Sequence, residues 1–378
     1  MNFKNKTWFV VGISFVVGIA GFFGGYIFAS KQLGLVSFPA SQFALHTIQE
    51  FFVDPLDDEF LAKGIVYGTR DPYSVYFNQQ EYQSFSTQIA DHYVGIGVII
   101  NDRLEINRVF SDSPASEAGV LAGDTIIQVD GEIMLGKDST YASNLIRGPE
   151  GSSVEIVFQN SEQGNRTYML TRKQVKIQTI QGKMLSNNTA YIHILSFNFG
   201  TAQEFKHIFD GLMLQKPSSF ILDLRDNGGG VLEETQKIAE YFLPDDSFLF
   251  WTIGRDQNPK PRNMHQTNLI DIPFVILINR YSASASEVLS GAVQDYKTGT
   301  LIGETSFGKA SIQRLFSVLP TGGAIKLTVE KYLTPLKRNI MGEGIVPDIL
   351  IESESPVTTD EKDPVITRAL TFFQEGNK

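Results

Sequence analysis

From residue 174 to 352 the chain alternates short apolar strand runs with helix-period segments, and few architectures accept that order. TAYIHIL, SSFILDLR, PFVILIN and GTLIGE are mostly apolar runs of strand length. QEFKHIFDGLML, LEETQKIAEYFL and ASEVLSGAVQDY, interspersed among them, gather their apolar residues on one helical face. A strand without a polar face has to be covered on both sides, so the segment predicts an α/β unit with crossover connections.

Upstream the pattern changes. Residues 91–173 hold YVGIGVII, LEINRVF, DTIIQVDG, SVEIVFQ and RTYMLTR, β-branched runs separated by Gly, Pro, Asn and Asp. Two helical interruptions, 113–119 and 139–146, complete a small β-rich unit. Residues 34–90 read as a helical region broken at Asp54-Pro55 and Asp71-Pro72, because proline disfavours helix at the residue before it. Residues 353–378 read as an acidic tail with a helix at 365–374.

The N-terminus predicts a compartment. Residues 7–29 (TWFVVGISFVVGIAGFFGGYIFA) carry no charge, and about 20 residues suffice to cross the hydrocarbon core of a bilayer. Lys4 and Lys6 precede them, and Trp8 and Tyr26 sit near the two ends, where amphipathic rings prefer the interface. Residues 1–33 then form a cytoplasmic stub and a single transmembrane helix, with the rest of the chain outside the plasma (inner) membrane. A cleaved signal peptide is the rival reading; its apolar region would be shorter, and no clean A-x-A site follows.

Composition narrows the chemistry. Lys+Arg number 32 against 42 Asp+Glu, a formal net charge of −10, so no nucleic acid is expected as a partner. There is no cysteine, which excludes disulfides, thiol nucleophiles and thiolate metal sites. The histidines at 46, 92, 193, 207 and 265 show no HExxH-type spacing, so no metal site is expected.

Three segments carry possible chemistry. In NRYSASASE (279–287) a strand runs into small residues that open a helix, where a serine meets the positive end of the helix dipole; an ordinary N-cap is the plain alternative. DLRDNGGG (223–230) puts three glycines after a strand, a turn able to aim N–H groups at one point or merely to join two elements. GETSFGK (303–309) fits G-x-x-x-x-G-K, but Ala310 stands where a P-loop needs Ser or Thr, and ASIQRLFSVLP reads as strand, not helix. Lys309 is then a surface lysine or, if buried, a neutral amine able to act as a base.

In order along the chain, DPYSVYF (71–77), YVGIGV (93–98), SPASEAGVLAGDTIIQVDG (113–131), IRGPEGSSVEI (146–156), DLRDNGGG, SASASE, GETSFGKASIQ, YLTP (332–335) and GEGIVPDI (342–349) resemble the carboxyl-terminal processing proteases. These are S41-type, tail-specific serine peptidases with a PDZ domain. The resemblance implies a crotonase-like α/β serine protease domain at 174–352 with an inserted β-rich PDZ domain at 91–173. It implies a Ser-Lys dyad of Ser284 and Lys309, with Gln313 orienting the amine and the N–H groups of Ala285, Gly229 and Gly230 forming the oxyanion hole. Gly95, Ile96, Gly97 and Val98 resemble a loop that captures a peptide's terminal carboxylate, and Arg147, at the end of the groove helix, would report peptide occupancy. No cofactor is implied. Partners would be proteins or peptides with exposed C-termini, the membrane and, as in relatives, a second copy in a homodimer. A membrane-anchored PDZ scaffold without activity is the rival reading; the intact Ser284, Lys309 and Gln313 speak against it.

Overall fold

A computed structural model describes residues 39–90, 92–264, 268–318, 321–353 and 356–376. The expected membrane segment at 7–29 lies outside the described residues. Among the described residues no helix is long and apolar enough to cross a membrane.

The chain divides at Gly68 into two compact units. In the first, Pro39–Phe51 and Asp58–Tyr67 are helices. Asp57 caps the second, its Oδ1 accepting the N–H groups of Glu59 and Phe60, as a short acceptor side chain does for the orphan donors of a first turn.

The second unit is built on a six-stranded sheet in the order Ile180–Leu185, Thr189–Ile194, Ser219–Asp223, Phe274–Ile278, Thr300–Gly303, Ile349–Leu350. The first pair is antiparallel and all the others are parallel. Register explains the continuous apolar runs. Tyr191 lies opposite Ile221, Ile221 opposite Val275, and Leu277 opposite Ile302, so one face is apolar across the sheet. The alternate residues Ile192, Phe220, Leu222, Ile276 and Ile278 make the other face equally apolar.

Each face has its cover. Helices Thr201–Met213, Leu232–Ala239 and Ala285–Tyr296 pack on the second face through Phe205, Phe209, Ile238, Leu289 and Val293. The helix Pro364–Glu375, read from sequence as part of a separate tail, covers the first face with Val365, Ile366, Ala369 and Leu370.

A second sheet joins Val75–Phe77, Gly323–Leu333, Phe248–Ile253 and Pro259–Asn263, and Ser311–Val318 also pairs with Gly323–Leu333. Residues 75–77 read from sequence as part of a helical region; they are a strand. Pro72 stops helix behind them, and Val75, Tyr76 and Phe77 find partners in Lys326, Ile325 and Ala324.

Residues 92–176 form the β-rich unit, with the two expected helices at Pro114–Ala118 and Ser139–Ile146. Gly119, at φ 80°, ends the first as the sequence suggested. Its core gathers Ile96, Ile106, Ile126, Ile156 and Phe158. Arg172, buried, donates to Ile146 O at 2.7 Å and Leu145 O at 2.9 Å and so pins the end of the 139–146 helix. Gly97 turns the loop at φ +85°, where an added Cβ would stand 2.1 Å from Ser113 Cβ. Gly97→Ala is expected to cost about 2–4 kcal/mol through left-handed strain and overlap, measured as a lower urea midpoint.

Candidate active site

Three neighbouring parallel strands, Ser219–Asp223, Phe274–Ile278 and Thr300–Gly303, end at the same edge of the sheet. Ligands of open α/β sheets collect outside such carboxyl ends, where the chain leaves each strand in a loop. The segments that leave them here are DLRDNGGG, SASASE and GETSFGK. The tertiary fold therefore brings together the three motifs that the sequence presents separately.

Ser284 sits at the head of the Ala285–Tyr296 helix with φ 55° and ψ −112°, a strained conformation for a residue with a Cβ. Its N–H donates to Glu287 Oε2 at 2.8 Å. Glu287 Oε2 also accepts from Lys309 N at 2.9 Å, while Oε1 accepts from Ser306 Oγ and Gly308 N, both at 2.6 Å. One buried carboxylate thus ties the serine turn to the lysine loop. Burial pushes the Glu287 carboxyl up, and these four donors pull it back. On the other side Tyr332 Oη donates to Lys309 O at 2.9 Å and Ser284 O at 3.3 Å, a second clasp between the same two backbones.

Ser284, Ala285, Gly229, Gly230, Lys309 and Gln313 all line one cavity of about 650 Å³. Lys309 is half-buried. Burial, joined by the like charge of Lys326, holds its ammonium below the usual lysine range, with Asp71 and Glu287 opposing. Its Nζ stands 4.9 Å from the centre of the Tyr73 ring. Gln313 Nε2 donates to Ser311 Oγ at 2.9 Å and Thr328 Oγ1 at 3.1 Å.

The glycine turn lies against the serine. Gly229 and Gly230 have φ of +99° and +144°. A Cβ on Gly229 would fall 2.9 Å from Ser284 Cβ and from Ala285 N, and one on Gly230 would fall 2.2 Å from Phe197 O. Only glycine permits this approach. Gly229 N–H, one of the expected oxyanion donors, is instead given to Asn227 Oδ1 at 2.9 Å; among the described residues the N–H groups of Gly228, Gly230 and Ala285, which line the same cavity, have no acceptor. Asn227 also joins turn to helix, its carbonyl accepting from Ala283 N at 3.0 Å and Ser286 Oγ at 2.9 Å.

Several supporting residues escaped the sequence reading. Asp223 and Arg225, inside the quoted DLRDNGGG, form a buried ion pair at 2.7 Å, and Arg225 reaches Asp363 at 2.8 Å. Burial alone would raise the Asp223 carboxyl, but Arg225 holds it below the usual range. Tyr191 Oη donates to Asp223 Oδ2 at 2.8 Å. Glu287, three residues after Ser284, has the spacing of a capping box, the one local signal that could have singled it out. Among the histidines, His193 is buried with Nε2 3.1 Å from Arg225 O.

Three of the five expected peptide-binding residues meet elsewhere, and Gly95 and Gly97 do not line the cavity they share. Ile96, Val98 and Arg147 line a separate cavity of about 410 Å³ beside the 139–146 helix. Arg147 lies over the Tyr93 ring at 5.8 Å, and that ring packs against Gly95.

Comparison with known proteins adds an independent line. The profile of peptidase family S41 matches residues 188–351 and that of the PDZ domain residues 105–160. The chain is 29% identical over 353 residues to the carboxy-terminal processing protease CtpA of Bacillus subtilis, covering 92% of this chain and 74% of that one. It is 32% identical over 319 residues to the carboxyl-terminal-processing protease of Picosynechococcus, covering 81% and 77%. Among solved structures, the photosystem II D1 C-terminal processing protease superposes with a TM-score of 0.52 at 26% identity, covering 86% of this chain and 90% of that one. On fold, sequence identity and coverage together, the chain belongs to peptidase family S41, the carboxy-terminal processing serine proteases that carry a PDZ domain.

Proposed function

We propose that this protein is a membrane-anchored serine endopeptidase that works through a Ser-Lys dyad on extracytoplasmic proteins with exposed C-termini. The observation that carries the reading is the single cavity that Ser284, Lys309 and the glycine turn line together. Ser284 Oγ attacks the scissile carbonyl carbon while neutral Lys309 Nζ takes the hydroxyl proton. The N–H groups of Gly230 and Ala285 stabilise the oxyanion. As the C–N bond breaks, Lys309 returns that proton to the departing amine, and water then hydrolyses the acyl-enzyme with Lys309 again as base.

Gln313 orients the amine once it turns from Ser311 and Thr328. The groove beside Gly95, Ile96, Gly97 and Val98 takes the substrate's terminal carboxylate, and Arg147 passes its occupancy to the active site. Residues 7–29 anchor the chain, with the catalytic part outside the membrane, and a homodimer is part of this reading on the strength of the family resemblance.

The test uses the full chain in detergent with casein as substrate. Wild type is expected to release peptides with new termini, identified by mass spectrometry, with or without EDTA. Ser284→Ala is expected to release none. Equal cleavage by both proteins rules the dyad out, and an inert wild type leaves a tethered peptide receptor.

A further inference from the structure

The turn Asp71-Pro72-Tyr73-Ser74 packs against Lys309 through the Tyr73 ring, and no step of the chemistry above employs it. Its geometry is closely determined. Ser74 Oγ donates to Asp71 Oδ2 at 2.5 Å and accepts from Thr328 N at 3.0 Å, and Tyr73 N donates to Asp71 Oδ1 at 3.3 Å. The strand that follows begins with Val75 opposite Lys326. This turn is therefore fastened to the Gly323–Leu333 strand, on which Thr328 also holds the Gln313 amide. So fastened, the turn offers the face of Tyr73 to Lys309, whose Nζ stands 4.9 Å from the ring centre. A ring face attracts a cation and gives no such attraction to a neutral amine. The contact favours the one form of Lys309 that cannot accept a proton from Ser284.

We propose that Asp71 and Tyr73 are positioning residues that hold the Lys309 ammonium over the Tyr73 ring, a resting position from which the side chain must release its proton to solvent and swing free to serve Ser284. The inference rests on the dyad proposed above. It accounts for the contact of the Lys309 amine with the Tyr73 ring and for a Gln313 amide whose Nε2 is given to Ser311 and Thr328.

The charges facing Lys309 set the signs. Asp71, from the turn, and Glu287, from the Ala285–Tyr296 helix, favour the ammonium; Lys326, from the Gly323–Leu333 strand, opposes it together with burial. Lys326 is itself held over the rings of Phe77 and Phe85, at 5.4 and 5.1 Å. Removing the Tyr73 face or the Asp71 charge therefore eases deprotonation of Lys309. Removing the Lys326 charge hinders it.

The experiment is the pH dependence of kcat/KM for the full-length protein in detergent on a quenched peptide substrate. In Tyr73→Leu and Asp71→Asn the rising limb is expected to move acidward by roughly half a pH unit, about threefold in rate below the limb. Tyr73→Phe keeps the ring face and is expected to keep the wild-type limb. Lys326→Met is expected to move it alkaline. An unmoved or alkaline-shifted limb in Tyr73→Leu overturns the inference, as does a Tyr73→Phe limb displaced like that of Tyr73→Leu. Should Tyr73→Leu fail to fold, judged by its melting curve, Asp71→Asn and Tyr73→Phe decide by the same limbs. Ser284→Ala separates the two levels: if it still cleaves, the dyad is lost, whereas an inert Ser284→Ala beside an unmoved limb sinks only the resting position.

Discussion

Lys309→Ala is expected to lower kcat by about 10⁴-fold or more while the protein melts as wild type does. A serine hydroxyl is a weak nucleophile until a neighbour takes its proton, and Lys309 is the lysine that follows the strand next to the serine's own. Its half-buried amine is already held below the usual lysine range by desolvation and Lys326, which moves its neutral form toward working pH. His193 cannot stand in, since it is buried with its ring nitrogen on Arg225 O. The sharper variant is Lys309→Arg. Guanidinium keeps the charge and much of the packing but cannot act as a base, so it is expected to be as inactive as alanine. Single-turnover kinetics with a peptide ester would measure both. Substantial activity in the arginine variant would mean that charge rather than proton transfer is what position 309 supplies.

Glu287→Gln should have the next largest effect, on stability and rate together. The carboxylate accepts two donors on each oxygen: Ser306 Oγ and Gly308 N on one, Ser284 N and Lys309 N on the other. An amide has a single acceptor oxygen. Turned toward Ser284 N and Lys309 N its NH₂ faces two donors, and turned the other way it faces Gly308 N and forces the Ser306 hydroxyl from donor to acceptor; each unsatisfied donor in a buried site costs about 1–3 kcal/mol. A loss of about 3 kcal/mol is expected, measured as a lower urea midpoint at unchanged slope. Because the carboxylate holds the backbones of Ser284 and Lys309, the proposed nucleophile and base, kcat should fall about 100-fold, as misplacement of about 1 Å does. A variant as stable and active as wild type would show that Tyr332, which bridges the carbonyls of the same two residues, suffices to hold the site.

The two substitutions act on different levels. The first removes a reacting group from a frame that remains; the second loosens the frame around groups that remain. Measuring stability and single-turnover rate on both separates chemistry from placement. The proposed resting position of Lys309 over the Tyr73 ring adds a third level, the population of the competent lysine, read only from the pH profile.

Much of the frame was legible in the amino-acid order. The four central strands announced themselves because both faces are buried: Ile221 and Leu222 point opposite ways, and each meets a helix. Ala285–Tyr296 follows the ASEVLSGAVQDY pattern residue for residue, and Ser311–Val318 is the strand that argued against a P-loop. Local signals sufficed wherever an element's own periodicity carries its burial. Val75–Phe77 shows where they do not. Three residues have no periodicity, and their strand exists because a partner more than two hundred residues away supplies the ladder.

The site divides along the same line. Residue types and their spacing marked NRYSASASE, GETSFGK and the glycine turn as segments able to carry chemistry but left an N-cap, a surface lysine and a plain turn open; the resemblance to the processing proteases is what singled out Ser284 and Lys309. Which donors remain open at the turn, which carboxylate clasps serine to lysine, and which ring the amine rests on were settled by packing alone. Gly229 gives its N–H to Asn227, Glu287 gathers four donors from two loops, and Tyr73 reaches Lys309 from a different sheet strand's turn. Hydrogen bonds and ring contacts between distant segments depend on distances that close only after strands and helices have stacked, and no property of either segment by itself encodes them.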